Sequence, residues 1–247
     1  MLTLGINAAY HDSAACLVRD GDVVAAAEEE RFTRIKHGKR PVPFSAWELP
    51  HHAVDYCLAR AGIELADLDH VAYSFDPYLL LKTRDATMTL PLEPSAEANA
   101  GLAPWEPLFL SYIVNAERQL VDGVPHRLRA RFRSAKERRH WQWHFVEHHL
   151  AHEVSAFLPS PFDDAAVLTL DGRGEKTATS YGHFANGEYR RLKQVELPSS
   201  LGLVYEQVTD YLGFLRSSDV YKVMALASYG KPHYVDWFSD VLELIGG

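Results

Sequence analysis

Cysteine is scarce in this sequence, basic residues are outnumbered and long apolar runs are missing, and each shortage closes a class of function. The two cysteines, Cys16 and Cys57, stand in apolar stretches, so they read as buried thiols in a reducing cytoplasm, not as a disulfide framework or a metal cluster. No stretch reaches the ~18 apolar residues of a membrane span. The N-terminus, interrupted by His11 and Asp12, lacks the basic lead and apolar length of a cleaved signal. A soluble, cytoplasmic protein with no membrane partner is the expectation. Lys and Arg number 25 against 33 Asp and Glu, for a net charge of −8, which gives no general electrostatic reason to bind nucleic acid. Any anion has to be gripped locally. Abundant instead are apolar residues, 47% of 247, and histidines, of which there are 13. The first supplies a core without staples; the second makes histidine positions worth following.

The chain opens as a β-meander. Leu2 to Asn7 and Ser13 to Arg19 are apolar runs, and Asp20-Gly21 before Val23 to Ala27 is a hairpin turn whose two central residues need positive φ. A helix from about Pro50 to Ala61 follows, with Val54, Cys57, Leu58 and Ala61 on one face and Gly62 ending it, and then a strand from His70 to Phe75. The pattern recurs. Ala166 to Asp171 and Thr177 to Phe184 are apolar strands, Asn186-Gly187 is a hairpin turn, Tyr189 to Leu197 a third strand, and Ser199 or Ser200 can cap a following helix. Asn7 precedes its turn by 13 residues and Asp171 precedes its own by 15. The expectation is an α/β protein made of two βββαβ units with a cleft between them: residues 1–160, with an insertion at about 83–140, and residues 161–247, a second unit left incomplete. Seven basic residues between Arg127 and Arg139 read as a solvated face or as an anion site.

Four local patterns carry chemistry. Glu147-His148-His149-Leu150-Ala151-His152 opens a helical segment, where His148 and His152 lie one turn apart and can share a metal ion. Asp171 is the candidate third ligand, and such a set suits iron(II), zinc or manganese; two histidines on a solvated helix surface are the plainer alternative. In Asp171-Gly172-Arg173-Gly174-Glu175, Gly172 and Gly174 let backbone N–H groups approach a phosphate, or simply make a tight turn. His11 and Asp12 occupy the equivalent turn of the first unit and can bind an anion or move a proton. The basic loop Arg34 to Arg40, with Lys36, His37 and Lys39, offers phosphate-binding cations or ordinary solvated charge.

In order along the chain, the segments Gly5 to Cys16, Ala27 to His37, His148 to His152, Leu170 to Glu175 and Tyr221 to Gly230 resemble the carbamoyltransferase family of nodulation-type and antibiotic-tailoring O-carbamoyltransferases. The resemblance implies an actin-like ATPase fold of the ribonuclease H-like kind, similar to the tRNA threonylcarbamoyl-transfer protein. It also implies an ATP-dependent reaction in which carbamoyl phosphate gives carbamoyl adenylate, whose carbamoyl group passes to a hydroxyl of a small-molecule acceptor. Carried over residue by residue, it makes His148, His152 and Asp171 ligands of a divalent ion, iron(II) foremost. It puts His11, Lys36 and His37 among catalytic groups, and Asp12, Gly172, Gly174 and Lys222 among substrate and phosphate contacts. Ala225 and Ser228 depart from the family's frequent Gly and Pro. Because family members run to more than twice this length, a missing C-terminal half or a separate adenylate-forming subunit is the expected partner. The rival readings are an actin-like sugar or acyl kinase, which leaves the two-histidine helix unexplained, and a non-catalytic subunit that binds metal or nucleotide.

Overall fold

A computed structural model describes residues 1–39, 48–81, 106–122, 140–216 and 218–242. Strands β1 (Leu2–Asn7), β2 (Ala14–Arg19) and β3 (Asp22–Glu28) form the opening meander, and Asp20 and Gly21 both take positive φ, 53° and 97°, as the turn chemistry requires. A short helix α1 (Glu30–Thr33) leads to helix α2 (His51–Ala61), which buries Ala53, Val54, Cys57 and Leu58. Pro50 stands just before α2, not inside its first turn, and Gly62 at φ 66° ends it. Strand β4 (His70–Tyr73) then pairs in parallel with β1. Helices α3 (Glu106–Val114) and α4 (Ala116–Asp122) precede strand β5 (Gln142–Phe145), which pairs in parallel with β4. The resulting order β3-β2-β1-β4-β5, with only β2 antiparallel to the rest, is the ribonuclease H-like arrangement expected of an actin-like fold. Its core runs through Leu4, Ile6, Leu17, Val71, Tyr73 and Phe75. The basic segment 127–139 lies outside the described residues.

Helix α5 (His148–Phe157) leads into a second meander of strands β6 (Asp164–Leu170), β7 (Thr177–Ala185) and β8 (Glu188–Glu196), antiparallel throughout. Asn186 and Gly187 make its hairpin at φ 54° and 78°. The two meanders are alike: first strand, polar loop, second strand, tight turn, third strand. In both, the loop after the first strand carries the residues of chemical interest. Cys16 and Cys57 are free thiols, the first half-buried and the second buried. No helix among the described residues is long and apolar enough to cross a membrane. Met1–Gly202 form one compact unit and Leu203–Gly247 another. The boundary falls in helix α6 (Leu201–Tyr211); helices α7 (Val220–Ala227) and α8 (Val235–Val241) belong to the second unit.

Candidate functional site

Helix α5 sets His148 and His152 one turn apart, and Asp171 directly follows β6. Their side chains meet. Nε2 of His148 lies 2.9 Å from Oδ2 of Asp171, Nε2 of His152 lies 3.5 Å from the same oxygen, and the two nitrogens are 3.1 Å apart. Metal–ligand bonds of about 2.1 Å meeting at roughly 90–109° set neighbouring ligand atoms about 3.0–3.4 Å apart, so this triangle fits one ion. Nδ1 of His148 is 3.2 Å from the carbonyl oxygen of Ser74, which can only accept, so Nδ1 carries a hydrogen and Nε2 is the nitrogen turned to Asp171. At 2.9 Å that nitrogen and the carboxylate oxygen either share a proton in a hydrogen bond or share a metal ion. Burial pushes the Asp171 carboxyl up, but hydrogen bonds and charge from His148 and His152 outweigh it and hold the group well below the usual carboxylate range. The His148 side chain is nearly enclosed, whereas that of His152 is 48% exposed. The triangle therefore opens on the His152 side.

Three neighbours fix this geometry. The Tyr10 ring stands edge-on to His148, with centroids 4.9 Å apart, stacks on Phe109, and donates its hydroxyl hydrogen to the Gly174 carbonyl at 3.0 Å. Tyr10→Phe is expected to keep the packing and lose about 0.5–1.5 kcal/mol of stability with that one bond, read by denaturant unfolding. The buried Glu175 carboxylate accepts the backbone N–H of Asp76 at 2.6 Å and that of His148 at 3.0 and 3.1 Å; burial pushes its carboxyl upward despite those N–H groups. Gly174 has no room for a side chain, since a Cβ there would come within 2.9 Å of Cδ2 of His149. The two glycine amides meant for a phosphate donate inside the turn instead, Gly172 to Oδ1 of Asp171 at 2.6 Å and Gly174 to the Thr177 carbonyl at 2.7 Å.

A second group gathers around the loop after β1. Nδ1 of His11 lies 2.6 Å from one oxygen of Asp12, and Nδ1 of His37 lies 2.9 Å from the other. His11, Asp12 and His37 thus form a second group whose ligand-type atoms are close enough to share protons or an ion. The hydrogen bonds from His11, then from His37, hold the Asp12 carboxyl well below the carboxylate range. Asp12 and His37 both sit in the left-handed region, at φ 56° and 64°, a strained backbone for residues with side chains. Asp12, expected among phosphate contacts, is here the anionic anchor of two imidazoles. Lys36 places its ammonium 3.4 Å from Glu30. Lys39 is not a surface cation: it is buried, and its Nζ donates to the carbonyls of Ala8, at 2.6 Å, and Tyr10. Burial pushes its ammonium down to about 7. Arg40 lies outside the described residues. Lys222 belongs to the second compact unit, on α7, where it pairs with Asp219 at 2.9 Å.

The sequence signalled Tyr10 and Glu175 only as members of their motifs. It gave no sign of Ser74, whose part is played by a backbone carbonyl, or of the burial of Lys39.

A family model described as "Carbamoyltransferase N-terminus" matches residues 2–244. The uncharacterized protein sll1178 of Synechocystis is 38% identical over 239 residues, covering 97% of this chain and 36% of the relative. The nodulation protein NolNO of Sinorhizobium fredii is 34% identical over 246 residues, covering 97% of this chain and 31% of the relative. The chain thus spans about a third of the length of these curated relatives. Among solved structures, YeaZ from Pseudomonas aeruginosa aligns over 80% of this chain and 67% of its own, with 13% identity and a TM-score of 0.39, a likeness too slight to carry an argument.

Proposed function

The chain belongs to the carbamoyltransferase family, and from that premise we propose that it supplies the metal centre and the acceptor-activating imidazole of an O-carbamoyltransferase. The reaction it serves converts carbamoyl phosphate and ATP to carbamoyl adenylate, then moves the carbamoyl group to a hydroxyl of a small-molecule acceptor. Adenylate formation falls to the remainder of a longer polypeptide or to a separate subunit. One observation carries the reading: Nε2 of His148, Nε2 of His152 and Oδ2 of Asp171 converge, with separations of 2.9, 3.1 and 3.5 Å. His148, His152 and Asp171 would hold a divalent ion, iron(II) foremost. Once bound, that ion supplies Lewis acidity toward the oxygens of the carbamoyl donor. A sugar or acyl kinase gives this triangle no purpose, and membership of the family favours the transferase.

The proton chemistry belongs to the chain's own side chains. His11 is the imidazole a hydroxyl can reach, since its side chain is 45% exposed against 9% for His37. Its Nε2 takes the acceptor's proton while the hydroxyl oxygen attacks the carbamoyl carbon and AMP departs. Asp12 keeps hydrogen on Nδ1 and stabilises the imidazolium as it forms. The half-exposed ammonium of Lys36 draws in the anionic donor. Asp12→Asn offers only one carbonyl oxygen where two imidazoles each need an acceptor. It is expected to leave metal content at the wild-type level and slow carbamoyl transfer by about 10²–10⁴-fold. The test pairs metal analysis with a transfer assay using carbamoyl phosphate, ATP and a panel of hydroxyl acceptors, on the full-length polypeptide or on this chain plus its adenylate-forming partner. Metal-loaded protein that transfers nothing under any of these conditions would establish the non-catalytic reading instead.

A further inference from the structure

Helix α5 has two working faces. His148 and His152 turn toward Asp171, while His149 and Glu153, one position further round, are both 0% exposed against the second sheet. A carboxylate that fully enclosed is rare unless it is paired. Its partner comes from β8: Arg191 meets Glu153 through a two-pronged contact, Nε to Oε1 at 2.8 Å and Nη2 to Oε2 at 2.9 Å. The remaining prong, Nη1, donates to Glu147 at 2.7 Å, the residue just ahead of the helix. Arg191 lies opposite Gly182 where the β7–β8 register shifts, a bulge of the kind that re-aims a side chain. One guanidinium thus grips α5 at its entrance and again just beyond His152.

A second strut runs parallel to the first. The hydroxyl of Ser180 donates its single hydrogen to Glu153 at 2.6 Å, so its oxygen must accept from Nδ1 of His149 at 3.2 Å. An apolar interface at these positions would let the helix turn by a few degrees. The planar fork of an arginine on a carboxylate does not, because both prongs lengthen at once.

We infer that Arg191 is a positioning residue of the metal centre: by clamping Glu147 and Glu153 it fixes the rotation of α5 that brings the nitrogens of His148 and His152 onto Asp171. This rests on the metal-centre reading above, and the experiment separates the two. Cobalt(II) binding and its visible absorption band, which reports ligand geometry, are measured with thermal unfolding for four forms of the full chain: wild type, Arg191→Lys, Arg191→Met with Glu153→Leu, and His148→Ala. Arg191→Lys keeps the charge and loses the fork. It is expected to weaken cobalt affinity about 10–100-fold, the usual effect of removing an outer support of a metal ligand, and to shift the band. The double apolar variant removes both buried charges, so its melting temperature should return toward wild type while its cobalt affinity stays low. Affinity that recovers together with melting temperature, or an Arg191→Lys variant that binds cobalt as wild type does, overturns the clamp and leaves the centre standing. Wild type that takes up no cobalt, or His148→Ala that binds it unchanged, overturns both.

Discussion

His152→Ala is expected to remove the metal and the transfer reaction together while leaving the fold intact. The side chain is 48% exposed and holds its place through Nε2, 3.1 Å from that of His148 and 3.5 Å from Asp171, so its loss opens no core cavity. What disappears is one corner of a three-atom site, and an ion left with one imidazole and one carboxylate binds weakly. Metal content by elemental analysis should fall from stoichiometric to near background, and transfer should drop by at least about 10²–10³-fold, as when a group stabilising developing charge is withdrawn. His148→Ala should give the same loss of metal with an added cost in stability, since that ring also packs against Tyr10. Asp171→Asn provides a third arm, exchanging the anionic oxygen for a neutral amide at nearly constant shape. If His152→Ala kept a full complement of metal and full transfer, the triangle of His148, His152 and Asp171 would have no part in the chemistry.

That triangle was legible in the sequence because both of its signals are local. Four residues separate His148 from His152, a helical spacing, and Asp171 closes an apolar strand whose length shows in the residue pattern. The hairpins at Asp20-Gly21 and Asn186-Gly187 were legible for the same reason: positive φ at both central positions leaves few residue choices. What stayed hidden depends on long-range placement. Nothing in the run Lys36 to Arg40 separates Lys39 from its neighbours, yet Lys39 is buried against the carbonyls of Ala8 and Tyr10 and cannot serve as a surface phosphate cation. Arg191 and Glu153 stand 38 residues apart on a strand and a helix, and their pairing becomes visible only when the second sheet is packed against α5. The tautomer of His148 is set by the carbonyl of Ser74, 74 residues away, and any residue type at that position could supply it. Side-chain patterns disclosed the three converging side chains; the groups that orient them are mostly backbone or distant charge.

Glu175 tests how far the centre depends on that hidden layer, and the effect expected of its removal is the largest on stability. Its carboxylate is 5% exposed and takes the backbone N–H groups of Asp76 and His148, the second of which opens helix α5 and has no partner within the helix. Glu175→Leu leaves both N–H groups buried and unmet and withdraws a negative charge from a helix N-terminus, a combined loss of about 2–5 kcal/mol. Glu175→Gln is the discriminating partner, because Oε1 alone reaches both groups, at 2.6 and 3.0 Å. A glutamine carbonyl in that place keeps both bonds to Oε1 but gives up the charge and the 3.1 Å contact of Oε2 with the His148 N–H, for about 1–2 kcal/mol. Urea unfolding followed by circular dichroism measures both variants, and metal affinity should follow the same order, since the N–H that Glu175 holds belongs to the residue whose Nε2 faces Asp171. A leucine variant within about 1 kcal/mol of wild type would mean that water or another acceptor meets those N–H groups, and that His148 is placed by Tyr10 and Ser74 without help from the Asp171-Gly172-Arg173-Gly174-Glu175 turn.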